Sequence, residues 1–181
     1  MTLDQLTNRL ASDRDRAFPD LVKALQDGIY SGALQFTRNR QDAEDVTQET
    51  FVRVYRTLES YDEDRIRDLQ LRPWVWTITL NLCRNLSRTA KRHPEAPLVD
   101  DRIDRTTDTA GEAAANVDLA AWRLRLASLT DPQRTAVVLH HVVGLPYGEI
   151  AESTGRSEST TRSDVRRGLA RLRTLLEEEM R

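Results

Sequence analysis

Arginine and hydroxyl side chains recur on one side of the segment Leu145–Arg173, near the end of the chain. The outward-facing set is Ser159, Arg162, Ser163, Arg166 and Arg167. Guanidinium groups bind phosphates and guanine edges, and hydroxyls hydrogen-bond to phosphates and to several bases. A helix with this face is therefore suited to the major groove of duplex DNA, although it could also be the solvated side of an arginine-rich helix in a bundle.

Two short helices joined by a tight turn must position these side chains. Tyr147, Ile150 and Ala151 give the first helix an apolar stripe. Gly155 then supplies a residue that tolerates positive φ in the turn, and Ser157 is a good N-cap for the second helix. Helical spacing predicts that four apolar residues of the second helix face inward: Val165, Leu169, Leu172 and Leu176. This arrangement is typical of a helix-turn-helix.

The helix-turn-helix belongs to a helical block predicted over residues 118–181, in which Thr130 and Asp131 cap a supporting helix with Pro132 in its first turn. Another helical block is predicted over residues 1–92. The linker between them, residues 93–117, has two prolines, no apolar period and more acids than arginines. The predicted fold class is all-α, with two small helical domains joined by a flexible acidic linker.

The first block contains a helix predicted from Asp42 to Tyr61 with two distinct faces. Its broad inward face is predicted to be Ala43, Thr47, Thr50, Phe51, Val54, Tyr55 and Leu58. The opposite face groups Asp45, Glu49, Val52 and Arg56, with Gln48 at its edge. An acidic face with an apolar residue in its middle could dock a protein, or could be an ordinary solvated face.

A second helix of this block, predicted from Leu71 to Lys91, mixes aromatic, amide and cationic residues. The side chains predicted to lie outside its apolar arc are Trp76, Thr77, Leu80, Asn81, Arg84, Arg88 and Lys91. Interleaved aromatics and cations suit single-stranded nucleic acid, because bases stack on the rings while the cations follow the phosphates. Trp74 is expected in the core, whereas Trp76 could meet nucleic acid or pack on the preceding loop.

Composition limits the other classes of function. The 181 residues carry a net charge of −2, whereas a free-standing DNA-binding protein usually has a basic excess, so a partner is expected to supply part of the affinity. The single cysteine excludes an internal disulfide and a cysteine-rich zinc site. No apolar run reaches the ~18 residues of a membrane span, and the start lacks the apolar core of a signal peptide. We therefore expect a cytoplasmic protein without stable membrane insertion.

Catalytic and metal-binding patterns are weak. His140 and His141 are adjacent, so on a helix they point ~100° apart and make a poor shared metal site. The sequence has no Glu-x-x-His pair, nucleophile elbow, P-loop or dinucleotide fingerprint. The chain is therefore predicted not to be an enzyme and to use neither a cofactor nor a metal.

Three segments, in this order, resemble the extracytoplasmic-function group of bacterial sigma-70 factors. They are DAEDVTQETF at residues 42–51, PWVWTITLNLCRNLSR at residues 73–88, and LTDPQRTAVVLHHVVGLPYGEIAESTGRSESTTRS at residues 129–163. The resemblance covers nearly the whole chain from Phe18 onward. It implies a factor that binds core RNA polymerase, recognises the minus-ten and minus-thirty-five promoter elements and helps melt the DNA.

The same resemblance implies roles for individual residues. Contact with the clamp helices of the largest polymerase subunit would come from Asp45, Gln48, Glu49 and Val52. The melted minus-ten element would be bound by Trp76, Asn81, Arg84 and Arg88. The segment from Tyr61 to Asp68 would help hold a base flipped out of the duplex. The minus-thirty-five duplex would be bound by Ser159, Thr160, Arg162, Ser163, Arg166 and Arg167.

The promoter geometry also fits two domains. The two elements lie about two helical turns apart, ~70 Å, whereas one such domain has a radius of gyration of only ~11 Å. An extended linker of ~25 residues could reach ~80 Å, and its acids could imitate phosphates in the polymerase channel. The resemblance further implies an anti-sigma factor that clamps the two domains together and covers their binding surfaces.

Four residues depart from the family pattern. Asp164 stands where the recognition helix often carries arginine, and we expect it to repel phosphates. Thr161 replaces an expected buried aliphatic residue and could loosen the packing of the helix. Leu169 and Leu80 each stand where a basic residue is common.

A stand-alone helix-turn-helix regulator is the alternative interpretation. Such a protein usually needs a dimer interface or an effector pocket, and the sequence has neither a heptad zipper nor a separate sensor domain. The helix from Trp76 to Lys91 would also have no role in it. Tight, specific binding of the purified protein alone to duplex DNA would favour this alternative.

Overall fold

The computed structural model describes residues 1–37, 39–92 and 121–180. The first domain contains α1 (Leu3–Ser12), α2 (Arg14–Thr37), α3 (Arg40–Glu59), α4 (Glu63–Arg67) and α5 (Leu71–Arg92). The second contains α6 (121–127), α7 (Asp131–Val137) continued by a π-helical turn (Val138–Val142), α8 (Tyr147–Thr154) and α9 (Glu158–Glu179). The described residues form no strand, which confirms the all-α prediction, and the linker predicted over residues 93–117 lies outside them. Within the described ranges, no helix has both the length and the apolar character to cross a membrane.

Helix α1 begins before the part of the chain that carried the family resemblance. Thr2 caps it: the Gln5 backbone N–H donates to Thr2 Oγ1 at 3.2 Å, and the Thr2 N–H donates to Gln5 Oε1 at 2.9 Å. Leu6 and Leu10 are fully buried against α2 and α4. The first domain therefore uses its N-terminal residues in its core, a role that the sequence analysis did not assign to them.

The α3 prediction is confirmed in its main features. Thr50, Phe51, Val54 and Leu58 are buried against α2 and α5. Val46 is also buried, although it was not included in the predicted inward face. Burial of this stripe directs the acidic side of α3 outward.

Of the four α9 residues that were predicted to face inward, only two are buried. Val165 and Leu172 are buried, but Leu169 and Leu176 are each 39% exposed. The close contact is instead made at Gly168, where an added Cβ would lie 2.7 Å from Cγ2 of Val137 in α7. A residue without a side chain brings the helices together there, and this rotates α9 away from the register that leucine spacing predicted.

The two domains pack against each other, and this packing explains two errors on α5. Trp76 is only 2% exposed and Leu80 is also buried, although both were predicted to lie outside the apolar arc. Leu139, Leu145 and Ile150 of the second domain belong to the same apolar core as Trp76. Burial between domains depends on residues far away in sequence, so helical periodicity could not reveal it.

Candidate nucleic-acid and polymerase interface

The start of α9 is built as predicted. Gly155 has φ 66°, in the left-handed region that favours glycine, and ends α8. Ser157 then caps α9, accepting a hydrogen bond from the Thr160 backbone N–H at 3.2 Å. The Ser157 hydroxyl also lies 3.0 Å from that of Ser159 and 2.7 Å from that of Thr160. The first turn of α9 therefore presents a cluster of hydroxyls at the N-terminal end of the helix.

The predicted recognition face of α9 reaches solvent. Arg162, Arg166 and Arg167 are exposed, and Ser163 is half-buried. Arg162 forms an ion pair with Glu158 at 2.7 Å, and its guanidinium lies 4.8 Å from the centroid of the Tyr147 ring. The Arg162 guanidinium therefore lies close to both a carboxylate and an aromatic ring, although the ion pair is exposed to solvent.

Asp164 and Thr161 are both buried, and both have polar partners within the helix-turn-helix. Asp164 is 3% exposed, so its carboxylate lies beneath the solvent face of α9 and not on it. It pairs with Arg167 at 2.8 Å and with Arg156 at 3.2 Å. Thr161 is 1% exposed, and its hydroxyl donates to the Ser157 carbonyl at 3.1 Å, so the polar group is satisfied within the packed helix.

Helix α5 offers a smaller exposed set than was predicted. Asn81, Arg84 and Arg88 are exposed, and Arg84 Nη1 donates to Asn81 Oδ1 at 3.3 Å. The Trp76 ring is covered, with its edge over Gly32 of α2 beside Val143 of the second domain. The predicted set therefore divides into three exposed polar residues and one buried aromatic.

The contact between the domains contains directional bonds as well as apolar packing. Arg72 of α5 forms a bidentate ion pair with Glu149 of α8, and this hydrogen-bonded pair raises the pKa of the Arg72 guanidinium. The Thr77 hydroxyl of α5 donates to the Ser153 carbonyl of α8 at 3.2 Å. Arg84 lines an interdomain cleft of about 260 Å³. One side of the predicted minus-ten helix therefore meets the second domain.

The predicted base-holding segment, Tyr61 to Asp68, contains α4 and the residues around it. The Arg65 guanidinium lies 3.7 Å from the centroid of the Tyr61 ring, and the Tyr61 and Trp74 rings are 6.2 Å apart. Trp74 is partly buried against the apolar core, which agrees with the position expected for it. The segment thus places a cation–aromatic stack at the edge of the first domain.

The acidic side of α3 is exposed as predicted. Asp45 and Gln48 are exposed, Glu49 is half-buried, and Val52 is 41% exposed. Glu49 is paired with Arg53 at 2.6 Å, one turn along the same helix. We call Asp45, Gln48, Glu49 and Val52 the acidic α3 surface. It combines an apolar centre with carboxylates that the fold leaves accessible.

The two histidines take part in aromatic packing. The His140 ring stacks on Tyr147 with centroids 4.3 Å apart, and its Nδ1 lies 2.8 Å from the Leu145 carbonyl oxygen. The His141 ring meets His140 edge-on at 4.7 Å. Among the described residues, no group of His, Cys, Asp or Glu is arranged to hold a metal ion.

Three residues of this interface were not assigned from the sequence. Arg72 and Glu149 are 77 positions apart, and nothing in either local pattern indicates their pairing. Arg156 follows the turn glycine directly, and its position at the start of the second helix could have suggested contact with DNA.

Comparison with known proteins defines the class. The sequence model of Sigma-70 region 2 matches residues 21–93, and that of Sigma-70, region 4 matches residues 119–172. The sigma factor NccH of Alcaligenes xylosoxydans xylosoxydans is 30% identical, over 96% of this chain and 94% of that protein. SigM of Mycobacterium tuberculosis, named as an ECF RNA polymerase sigma factor, is 32% identical, over 94% of this chain and 82% of that protein. The chain therefore belongs to the sigma-70 family.

Further relatives place the chain within that family. The ECF sigma factor SigE of Mycolicibacterium smegmatis is 32% identical over 88% of this chain, and the match spans 62% of that protein's length. The structure of CnrH in complex with the cytosolic domain of CnrY matches with a TM-score of 0.74 and 27% identity, over 97% of each chain. The protein is an RNA polymerase-binding sigma factor of the extracytoplasmic-function group.

Proposed function

We propose that this sigma factor docks on core RNA polymerase through the acidic α3 surface and reads the promoter through α5 and α9. The observation that carries the proposal is the separation of the three surfaces by chemistry. An acidic surface with an exposed valine suits a basic protein partner, whereas exposed arginines suit nucleic acid. The clamp helices of the largest polymerase subunit are the proposed partner of α3.

The proposed minus-ten contacts are Asn81, Arg84 and Arg88 on α5, together with the cation–aromatic stack of Tyr61 and Arg65. Exposed cations can follow the phosphates of a melted strand, and an aromatic ring can stack on an unpaired base. Trp76 is buried in the packed arrangement, so it is left out of this set. The proposed minus-thirty-five contacts are Ser159, Thr160, Arg162, Ser163, Arg166 and Arg167.

The packed arrangement cannot bind both promoter elements at once. Two touching domains, each with a radius of gyration of ~11 Å, cannot place two reading helices ~70 Å apart. The proposal therefore requires the contact between α5 and α8 to open when polymerase and promoter bind. The proposal keeps the predicted domain boundaries, residues 1–92 and 118–181, so the acidic linker would join the two domains after they separate.

An anti-sigma factor is the proposed inhibitor. The structure of CnrH was determined with the cytosolic domain of CnrY, and the Bartonella quintana sigma factor RpoE with the anti-sigma factor NepR. A partner that binds both domains of this chain would favour the packed arrangement and cover the α5 face. We further propose that the protein acts in the cytoplasm, as a binding factor without catalytic activity of its own.

Run-off transcription with purified core polymerase tests the docking surface. The template would carry the genomic region upstream of this protein's own gene, and the variant would combine Asp45→Ala with Glu49→Ala. We expect promoter-specific transcripts with the wild type and at least tenfold fewer with the variant. Co-migration with core polymerase should weaken in parallel, because the lost carboxylates no longer meet basic groups on the partner.

A matched control removes the same charge elsewhere in the first domain. Asp4→Ala with Asp27→Ala changes exposed acids on α1 and α2 and should leave transcription within twofold of wild type. Equal loss in both double variants would show that net charge matters and the α3 surface does not. Absence of any transcript that depends on the wild-type protein would overturn the proposed promoter reading through α5 and α9.

A further inference from the structure

Asp164 places a buried carboxylate directly beneath the predicted DNA-reading face of α9. It is 3% exposed, whereas the side chains of its two partners, Arg156 and Arg167, are 38% and 57% exposed. Arg156 Nη2 lies 3.2 Å from Oδ2, and Arg167 Nη2 lies 2.8 Å from Oδ1. Arg167 thus donates a hydrogen bond to Oδ1, whereas Arg156 is near Oδ2 as an ion pair without a hydrogen bond, and both guanidiniums extend from the buried anion toward solvent.

The two arginines come from different parts of the helix-turn-helix. Arg156 lies in the turn, between Gly155 with its positive φ and the N-cap Ser157. Arg167 lies on α9 itself, three residues after Asp164. One carboxylate therefore fixes the turn and the recognition helix relative to each other.

Burial makes this arrangement different from an ordinary surface pair. A carboxylate removed from water is strongly destabilised unless cations and hydrogen bonds compensate it, so Asp164 favours the position of Arg167 through a hydrogen bond and that of Arg156 through its charge. The pair of Arg162 and Glu158 is a useful contrast, because both of its side chains are more than half exposed. Exposed pairs of that kind contribute little and rearrange easily.

We propose that Asp164 is a positioning residue that sets the sequence specificity of α9, and that Arg156 is a further DNA-contacting residue. The inference rests on the proposed reading of the minus-thirty-five duplex by α9. Arginine binds guanine through a planar fork, so its orientation decides whether a base edge is recognised. Two guanidiniums fixed before binding lose less conformational freedom when the DNA arrives. A buried anion also lowers the net charge of this face, which weakens binding to DNA of any sequence.

The test measures specificity rather than affinity alone. The full chain with core polymerase would select from duplex DNA randomised at the minus-thirty-five positions. Affinities for the enriched sequence and for a scrambled sequence would then be compared at several salt concentrations. For Asp164→Asn we expect the ratio of the two affinities to fall about tenfold, or about 1.4 kcal/mol, while binding to the scrambled sequence stays equal or increases.

Repulsion of phosphates by Asp164 predicts a different result. In that case Asp164→Asn would strengthen binding to both sequences by the same factor and leave the ratio unchanged, and the proposal would be overturned. Glu178→Gln is the matched control, since it removes an exposed acid from the last turns of the same helix, away from the proposed DNA contacts, and should change the ratio less than twofold.

Two arginine variants keep the test decisive if Asp164→Asn fails to fold, which circular dichroism would reveal. Arg156→Lys and Arg167→Lys retain the charge but lose the planar fork, and both change exposed side chains. Each should lower the ratio severalfold, and an unchanged ratio in both would overturn the proposal. If the wild type enriches no sequence at all, the proposed function of α9 fails together with this inference. Enrichment by the wild type with equal ratios in every variant would overturn the inference alone.

Discussion

Helices α5 and α9 carry similar sets of arginines, but their arginines are held by different parts of the molecule. On α9, Arg162 and Arg167 pair with acids of the same helix, Glu158 and Asp164. On α5, Arg72 pairs with Glu149 of the other domain. The α9 face is therefore complete within its own domain, whereas the α5 face is tied to the packing of the two domains.

This difference separates two requirements of promoter binding. Region four can present its proposed reading face whether or not the domains are packed, because the ion pairs of that face lie within the same domain. On α5, Asn81, Arg84 and Arg88 are exposed in the packed arrangement, whereas the side that carries Arg72 and Thr77 becomes accessible only when the contact with α8 is lost. Variants at the contact between the domains should therefore change the accessibility of α5 and leave that of α9 unaltered. Variants within the second domain should change the α9 face and leave α5 unaltered.

Among the variants at the contact between the domains, we expect a substitution of Gly32 to have the largest effect on stability. Gly32 lies where the two domains meet around Trp76. An added Cβ would lie 2.4 Å from Cη2 of Trp76 and 3.1 Å from Cγ2 of Val143. Gly32→Ala should therefore displace both side chains, destabilise the protein by about 1–3 kcal/mol and increase the radius of gyration. Thermal unfolding and small-angle X-ray scattering would measure the two changes.

Gly28→Ala is the matched control in the same helix. Its added Cβ would lie 3.6 Å from Cγ1 of Val143, an ordinary contact, and alanine favours a helix interior by up to about 1 kcal/mol over glycine. We expect equal or higher stability and no expansion. Similar losses in both variants would mean that the close approach at Gly32 is not what holds the domains together.

A smaller effect is expected from the ion pair between Arg72 and Glu149. Both side chains are about one-quarter to one-third exposed, so the pair should contribute about 1 kcal/mol to closure. Arg72→Ala should raise the ratio of open to closed molecules roughly fivefold. Energy transfer between dyes placed on the two domains would report that ratio.

Exchange of the two charges provides the decisive comparison for this pair. Arg72→Glu or Glu149→Arg alone should open the domains further than Arg72→Ala, and the two together should restore much of the closed population. Arg9→Ala, which breaks an ion pair with Asp20 inside the first domain, should not change the spacing. Failure of the exchanged pair to restore closure would assign the contact to apolar packing.

Local rules predicted the parts of this molecule that local forces determine. The positive φ of Gly155 and the cap at Ser157 follow from residue type and position alone. The exposed acids of α3 follow from a clear helical period. The same rules predicted that Arg162, Arg166 and Arg167 of α9 are exposed.

The errors occur where residues distant in sequence decide the outcome. Leu169 and Leu176 were placed inward because leucines at helical spacing usually are, but Gly168 makes the closest approach to Val137 and sets another rotation of the helix. Asp164 was expected to act as a surface charge, and its burial was not predicted because its partner Arg156 lies across the turn. Burial of Trp76 required knowledge of how the two domains pack.

The smallest predicted effect is a difference between the two domains in how their stability changes as the pH falls. Partial burial, and then the charge of His140, hold the pKa of His141 below its usual value of 6.5. Between that lowered value and about 6.5, the unfolded chain binds more protons than the folded one. The free energy of unfolding therefore decreases as the pH falls through this window, and the full contribution is present above about 6.5.

Hydrogen exchange, corrected for intrinsic rates and resolved by peptide, would locate the response. Exchange between pH 7.5 and 5.5 should accelerate in α7 and α8, whereas α1 to α3 should change less, because the chain has only three histidines and the first domain's described residues include none. His141→Gln should reduce the acceleration of exchange in the second domain between these two pH values. An unaltered response in the variant would show that His141 does not set the acid sensitivity. Equal acceleration in both domains would show that they respond together through their shared core.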